Sequence, residues 1–333
     1  MKQRRAKILA VESYLPKKIL TNDDMAVMVD TSDDWIVSRV GIKQRHIAAE
    51  GEFTSTMGVR AAQKILDKTG IDPASIDMVI VTTLSPDYLF PSTACLIQSE
   101  LGLTNAAAFD LQAACSGLVY GLATAKAFIE SGQASNILLI ASEKLSAFVD
   151  YTDRNTCILF GDGASAVLVT EGSGIFTIGE FVLGADGTCR DLLCLPGGGA
   201  RNPASHETVD QKKHFIKMEG REVFKHAVRR MEEAMEACLK KAGLESGDIS
   251  YLVPHQANLR IIEALRKRFQ ISPERVIVTV DLYANTSASS IGIALEHLMH
   301  NHPLALHDKV LLAVFGSGFT FGSMVLEVTG EVK

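Results

Sequence analysis

The sequence predicts an α/β layered fold assembled from two duplicated halves, and three observations carry that reading. Short apolar runs alternate with Ala- and Leu-rich helical spacings along most of the chain, as expected for strands covered by helices. Three segments recur in the same order: Leu66–Val81 parallels Leu239–Val253, Asp110–Ser116 parallels Asp281–Ser287, and Phe160-Gly-Asp-Gly parallels Phe315-Gly-Ser-Gly. At 333 residues, 47% hydrophobic and 22% charged, the chain can enclose a large core in two domains of ordinary size. The halves are expected at 1–175 and 176–333.

Taken in order, Lys7–Tyr14 reads as the first strand, and Thr21 or Asn22 caps a short helix running through Val29. A charged segment from Trp35 to His46 follows. Ser55–Lys68 is a helix closed by Gly70, and Asp77–Thr83 is a strand. The apolar run Ala106–Leu111 is a buried strand, and from Ser116 helical spacing runs to Ser131 and stops at Gly132. Phe160–Val169 is a glycine turn entering a strand. Ala185–His214, rich in Gly, Asn and Pro, is a loop-rich insertion, because helical patterning resumes at Glu219.

Composition excludes several classes. A formal charge of −6 argues against a general nucleic-acid binder. The basic stretch Lys2–Lys7 resembles the start of a signal peptide, but the apolar run Ile8–Val11 ends at Glu12 and is too short to complete one. No stretch approaches the roughly 18 apolar residues of a membrane span. A cytoplasmic protein is expected. The six cysteines (95, 115, 157, 189, 194, 238) form no CxxC pairs, so in a reducing compartment they read as free thiols.

Cys115 sits where a strand turns into a helix. The free N–H groups and positive end of the helix dipole there favour an anion, so the thiol is expected to have a lowered pKa and to act as a nucleophile. Ala113, Ala114, Ser116 and Gly117 leave room for a substrate. A buried cysteine serving as a small hydrophobe is the alternative at this point. His255, in Val-Pro-His-Gln-Ala-Asn, lies just past a strand and before a helix. Asn285 precedes Thr-Ser-Ala-Ser-Ser, which also suits a helix cap or turn. Phe315–Gly322 is a glycine-rich turn able to aim backbone N–H groups at an oxyanion. His297, His300, His302 and His307 lack the cysteines or carboxylates of a metal set and read as surface residues; no metal site is expected.

Together these elements resemble the thiolase superfamily and, within it, the initiating condensing enzymes, the β-ketoacyl-acyl-carrier-protein synthases III. The resemblance runs from Leu9 to Val328 and is carried by Thr31–Ile42, Ala114-Cys-Ser-Gly, Gly161-Asp-Gly-Ala, Pro254-His-Gln-Ala-Asn and Asn285-Thr-Ser-Ala. It implies a thiolase-like fold layered α-β-α-β-α and an acyltransferase that joins an acyl-CoA primer to malonyl-acyl-carrier protein with loss of CO₂, starting fatty acid biosynthesis. It implies Cys115 as the acyl-carrying nucleophile, His255 and Asn285 as the decarboxylating pair, and the backbone N–H groups of Cys115 and Ser317 as the oxyanion hole. Trp35, Arg39 and Arg154 match coenzyme A-binding positions, and Phe90 matches a residue that enters the partner's acyl pocket in the family's homodimers. Lys225, Arg260, Arg266, Lys267 and Arg268 would dock the acidic carrier protein; a solvated helix face is the alternative. No cofactor is implied beyond the thioester substrates.

Three positions depart from the family pattern: Ala284 and Ser317 stand where glycine is common, and Ile293 where proline is frequent. They bear on acyl-chain preference more than on the reaction. A papain-like Cys-His-Asn hydrolase shares the residue order but not the surroundings of Cys115. A thiolase proper would carry a second cysteine in the glycine turn, and an elongating ketosynthase would have histidine at 285. A secondary-metabolism relative using another acceptor is the nearest rival.

Overall fold

The computed structural model describes residues 4–331; Lys2 and Gln3 of the basic stretch and the outer limits of the expected halves lie outside them. The first half supplies strands β1 (Lys7–Tyr14), β2 (Met78–Thr82), β3 (Ala107–Leu111), β4 (Asn136–Glu143) and β5 (Gly163–Thr170), with helices α1 (Thr54–Thr69), α2 (Thr93–Glu100) and α3 (Gly117–Glu130). The second supplies β6 (Phe176–Ala185), helix α4 (Gly220–Ala242), β7 (Tyr251–Pro254), α5 (Leu259–Arg268), α6 (Ser289–Asn301), β8 (Lys309–Gly316) and β9 (Thr320–Val328). Nine strands form one continuous sheet in the order β7-β8-β9-β6-β1-β5-β4-β2-β3. The halves meet where Lys7 and Ile8 of β1 pair with Thr177 and Phe176 of β6.

Each half repeats one pairing scheme. In the first, β2 is parallel to β3 and β4, and β5 is antiparallel to β4 and β1. In the second, β7 is parallel to β8, and β9 is antiparallel to β8 and β6. We propose the boundary between the halves at residues 175 and 176, where β6 begins.

The period-2 alternation of side chains builds the layers. Ile137 and Leu139 of β4, with Val310 and Leu312 of β8, face a central core that holds Leu118 and Leu122 of α3 and Ile291 and Leu295 of α6. Their neighbours Leu138 and Ile140 face outward onto Met57, Ala61 and Ile65 of α1. Leu311 and Ala313 face outward onto Met231 and Met235 of α4 and Ile262 of α5. Two sheet halves thus enclose a shared helical layer and carry outer helices, giving α-β-α-β-α. Burying each such Leu or Ile contributes roughly 1.5–3 kcal/mol. The start of α3 lies tight against its surroundings, since a Cβ at Gly117 would stand 2.9 Å from Thr82 Cβ and 3.1 Å from Ala288 Cβ. That approach sets the position of Cys115, two residues upstream.

Candidate active site

The turn bearing Cys115 is pinned from the opposite half. Thr320 Oγ1 donates to the Ala113 carbonyl (2.7 Å), and Ser116 Oγ donates to the Thr320 carbonyl (3.1 Å). A Cβ on Gly316 would stand 2.7 Å from the Cys115 nitrogen, so the glycine turn meets the turn bearing Cys115 backbone to backbone. Ser317 keeps its hydroxyl out of this contact by donating it to the Leu193 carbonyl. Ala284 adopts φ 56°, the left-handed region that glycine occupies without strain, which gives the departure at 284 a structural cost. Ile293 lies buried inside α6.

Cys115 opens onto two cavities. One, of about 730 Å³, is lined by Trp35, Arg39, Arg154, His255, Asn285 and Gly316. At its mouth the Arg154 and Arg39 guanidinium groups lie 4.8 Å and 5.5 Å from the centre of the Trp35 ring. The other, of about 660 Å³, is mainly apolar and is lined by Leu145, Phe148, Leu193, Ile216, Ser287 and Ser317, among others.

His255 and Asn285 are both buried, and their polar atoms are held from behind. His255 Nδ1 lies 2.7 Å from Ser290 Oγ, which also receives the Gln256 N–H at 3.5 Å. Burial pushes the imidazole down to about 4, so it is neutral at physiological pH. Asn285 Oδ1 accepts the Ser287 N–H at 2.8 Å, which turns Nδ2 away from that contact. Two neutral donors thus line one wall of the larger cavity beside the thiol.

One expectation about Cys115 is corrected. Its thiol is pushed up to about 12, not down, first because it is buried and further because of the nearby Glu143. Burial outweighs the helix N-terminus and the Ser287 contact, so the resting group is a neutral thiol.

The five basic residues expected to dock a carrier protein do not form one free cluster. Arg266 is held by Glu263 (2.8 Å) and Arg268 by Glu236 (2.7 Å). Lys225 and Arg260 line the mouth of the larger cavity; Arg260 stacks over Phe224 at 5.5 Å, and Lys225 pairs with Glu222. Lys267 is exposed on α5. Phe90 is 85% exposed and lines neither cavity of its own chain. His297 and His302 lie with their rings tilted against each other, 6.0 Å apart, at the end of α6, and His307 pairs with Glu327.

Sequence reasoning missed Ser287, Ser290 and Glu143. The signals were present: a serine run after Asn285, and a lone acid closing the apolar strand Asn136–Glu143. It also treated the 185–214 insertion as a loop only, whereas Leu193, Cys194, Gly197 and His214 wall the smaller cavity.

Profiles of 3-oxoacyl-[acyl-carrier-protein (ACP)] synthase III match residues 109–187, and those of its C terminal part match residues 239–328. The β-ketoacyl-[acyl-carrier-protein] synthase III of Chlamydia caviae is 55% identical over 326 residues, covering 98% of this chain and 97% of that protein. The chain belongs to the 3-oxoacyl-[acyl-carrier-protein] synthase III family. The synthase III of Thermus thermophilus superimposes with a TM-score of 0.91 at 44% identity, over 98% of this chain and all (100%) of the other. That of Aquifex aeolicus gives 0.89 at 43% identity, over 97% and 99%. Cys115 of one half and His255 and Asn285 of the other share the lining of one cavity in this member of the family.

Proposed function

We infer that this chain is the condensing enzyme that initiates fatty acid biosynthesis, an acyltransferase whose Cys115 carries the primer and whose His255 and Asn285 drive decarboxylation. The observation that carries the assignment of residues is the single cavity that joins Cys115, His255 and Asn285 to the Trp35–Arg39–Arg154 stack. An adenine fits the face of Trp35, and the two guanidinium groups suit the phosphates of coenzyme A. The thiol sulfur attacks the acyl thioester, and the backbone N–H groups of Cys115 and Ser317 receive the oxyanion.

For the second step, His255 must donate from Nε2 to the malonyl thioester carbonyl. Ser290 favours that tautomer by giving its hydroxyl proton to Nδ1 while accepting the Gln256 N–H. Asn285, its Oδ1 engaged by Ser287, presents Nδ2 to the same oxygen. The carbanion left as CO₂ departs attacks the acyl-Cys115 carbonyl, giving the β-ketoacyl product.

The malonyl group arrives on acyl carrier protein. Lys225 and Arg260 are the docking residues this reading favours over Arg266 and Arg268, because they line the cavity that leads to Cys115 and the other two do not. A homodimer is part of the proposal. Tyr88, Leu89 and Phe90 are 61%, 80% and 85% exposed, an apolar tip that a second copy would cover. Intact-protein mass spectrometry after exposure to a panel of acyl-CoAs tests the reading. An acyl adduct on Cys115, consumed on adding malonyl-carrier protein, supports it; no adduct from any acyl-CoA overturns it.

A further inference from the structure

Arg45 is the bulkiest of the fully buried side chains, 1% exposed, on the short strand Gln44–Ile47. Its guanidinium is held by neutral acceptors. Nη1 donates to the Leu20 carbonyl (3.2 Å), and Nη2 donates to both Asn22 Oδ1 (3.0 Å) and the Ile158 carbonyl (3.0 Å). Burial pulls its pKa down to about 10, so the group stays charged at neutral pH. A buried cation is costly to keep, and apolar side chains fill such a volume without that cost. What its acceptors hold gives the reason for a guanidinium here.

One arm runs to the helix Asp33–Val40, which carries Trp35 and Arg39. Asn22 passes the contact on, its Nδ2 donating to Asp33 Oδ1 (2.8 Å) and to the Ile42 carbonyl (2.7 Å) at the two ends of that helix. The other arm runs to Ile158, directly after the short helix Arg154–Cys157 that carries Arg154. Ile158 and Leu159 line the larger cavity themselves. The Leu159 carbonyl accepts the Asn285 N–H (2.9 Å), and the Gly161 N–H donates to the Asn285 carbonyl (3.1 Å). The segment has little slack, since a Cβ on Gly161 would stand 2.8 Å from the Tyr283 carbonyl oxygen and 3.3 Å from Arg45 Cβ. A single nitrogen, Nη2, therefore ties together the two sides of the Trp35–Arg39–Arg154 clamp, one of which also holds the Asn285 backbone.

We propose that Arg45 is a positioning residue, whose guanidinium sets both the spacing of the Trp35–Arg39–Arg154 clamp and the placement of Asn285. This rests on the function proposed above. Arg45 lines neither cavity, so it acts through the groups it holds. The Cys115 turn is pinned separately, by Thr320 and Ser116. Loss of Arg45 should therefore reach coenzyme A binding and decarboxylation while sparing the reactivity of the thiol.

The test compares wild type, Arg45→Lys, Arg45→Met and Asn22→Ala, with thermal melts to show which are folded. Four quantities are measured: KM for acetyl-CoA, the single-turnover loading rate at saturation, CO₂ release from malonyl-carrier protein by the acylated enzyme, and alkylation of Cys115 by iodoacetamide. Arg45→Met should raise KM and slow CO₂ release by about tenfold each, with saturated loading and alkylation within about twofold of wild type. Arg45→Lys, which keeps the charge and can reach one acceptor, should recover part of both losses. Asn22→Ala, which cuts only the arm to Asp33, should raise KM and leave CO₂ release unchanged; it decides the question if neither Arg45 variant folds. Folded variants that keep the wild-type KM and CO₂ release overturn the proposal and leave the proposed function standing. So does an equal loss in all four measurements, the mark of a residue that serves the fold alone. A wild type that is alkylated but loads from neither acetyl-CoA nor isobutyryl-CoA points to failure of the functional reading. Calorimetric titration with free coenzyme A then judges the clamp: weaker binding by Arg45→Met supports it, and equal or absent binding overturns it.

Discussion

The end of β3 that carries Cys115 and the corresponding region that carries Asn285 solve the same placement problem differently. In the first half, β3 runs a full parallel ladder with β2, from Met78–Ala107 to Thr82–Leu111. The chain then turns through Ala114 (φ 46°) into α3. In the second half the equivalent strand shrinks to one bridge between Leu252 and Val276, followed by a short helix at Val280–Tyr283. The Gln256 side chain replaces the missing ladder. Its Nε2 donates to the Pro254 and Ile277 carbonyls (2.7 and 3.0 Å), and its Oε1 accepts the Thr279 and Val280 N–H groups (2.8 and 3.1 Å). Cys115 is held by sheet geometry and the His255 and Asn285 region by a buried side-chain buttress, which satisfies the backbone while freeing its path.

Protonation follows the same division. Burial disfavours charge on both sides, raising Cys115 and Glu143 in the first half and lowering His255 in the second.

The largest expected effect separates the halves outright. Cys115→Ala should abolish the acyl-enzyme in mass spectra; an unchanged adduct would move the nucleophile to another cysteine. His255→Ala and Asn285→Ala should still form the acyl-enzyme but release labelled CO₂ from malonyl-carrier protein about 10² to 10³ times more slowly, a loss of roughly 2.7–4 kcal/mol each. Because both donors serve one oxygen, the double variant should fall by less than the product of the two effects. Abolished acylation in folded His255→Ala would erase the division of labour and favour a papain-like ion pair.

Stability against pH sharpens the contrast. His255, lowered from 6.5 to about 4, contributes stability that is fully present above about pH 6.5 and lost as pH falls towards 4, on the order of 3 kcal/mol. Glu143, raised from 4.5 to about 7, has the opposite sign, its contribution being present below about 4.5 and lost as pH rises through 7. Denaturant unfolding of His255→Gln should therefore show stability falling from pH 4.5 to 7, and that of Glu143→Gln stability falling from pH 6.5 to 4. Identical slopes in the two variants would mean the halves do not differ in this way. The smallest effects lie at the edges of the site. Ser290→Ala should slow decarboxylation by about tenfold with acylation unchanged, the worth of one hydrogen bond that selects a tautomer. Charge reversal at Lys225 and Arg260 should weaken the carrier-protein step by about tenfold, reduced by salt, with less effect on loading from CoA. Equal loss in both steps would assign these residues to the CoA tunnel.

The sequence by itself determined the strand-helix alternation, the duplication and the residues that meet at the site, because periodicity and motif spacing are local properties. Lys7–Tyr14 is a strand over the expected residues, and the expected Ser55–Lys68 helix runs one residue further at each end, Thr54–Thr69. Only the tertiary structure decided the ionisation of Cys115. A helix start is visible in the chain, but the burial that reverses its effect depends on packing from the other half, where Gly316 lies against the Cys115 backbone from 201 residues away. It also decided which basic residues remain available, since the partner of Arg268 is Glu236 on another helix. Ser290 gains its role in the same way. It is an ordinary polar residue until packing brings it against His255, and burial then sets what its proton can do.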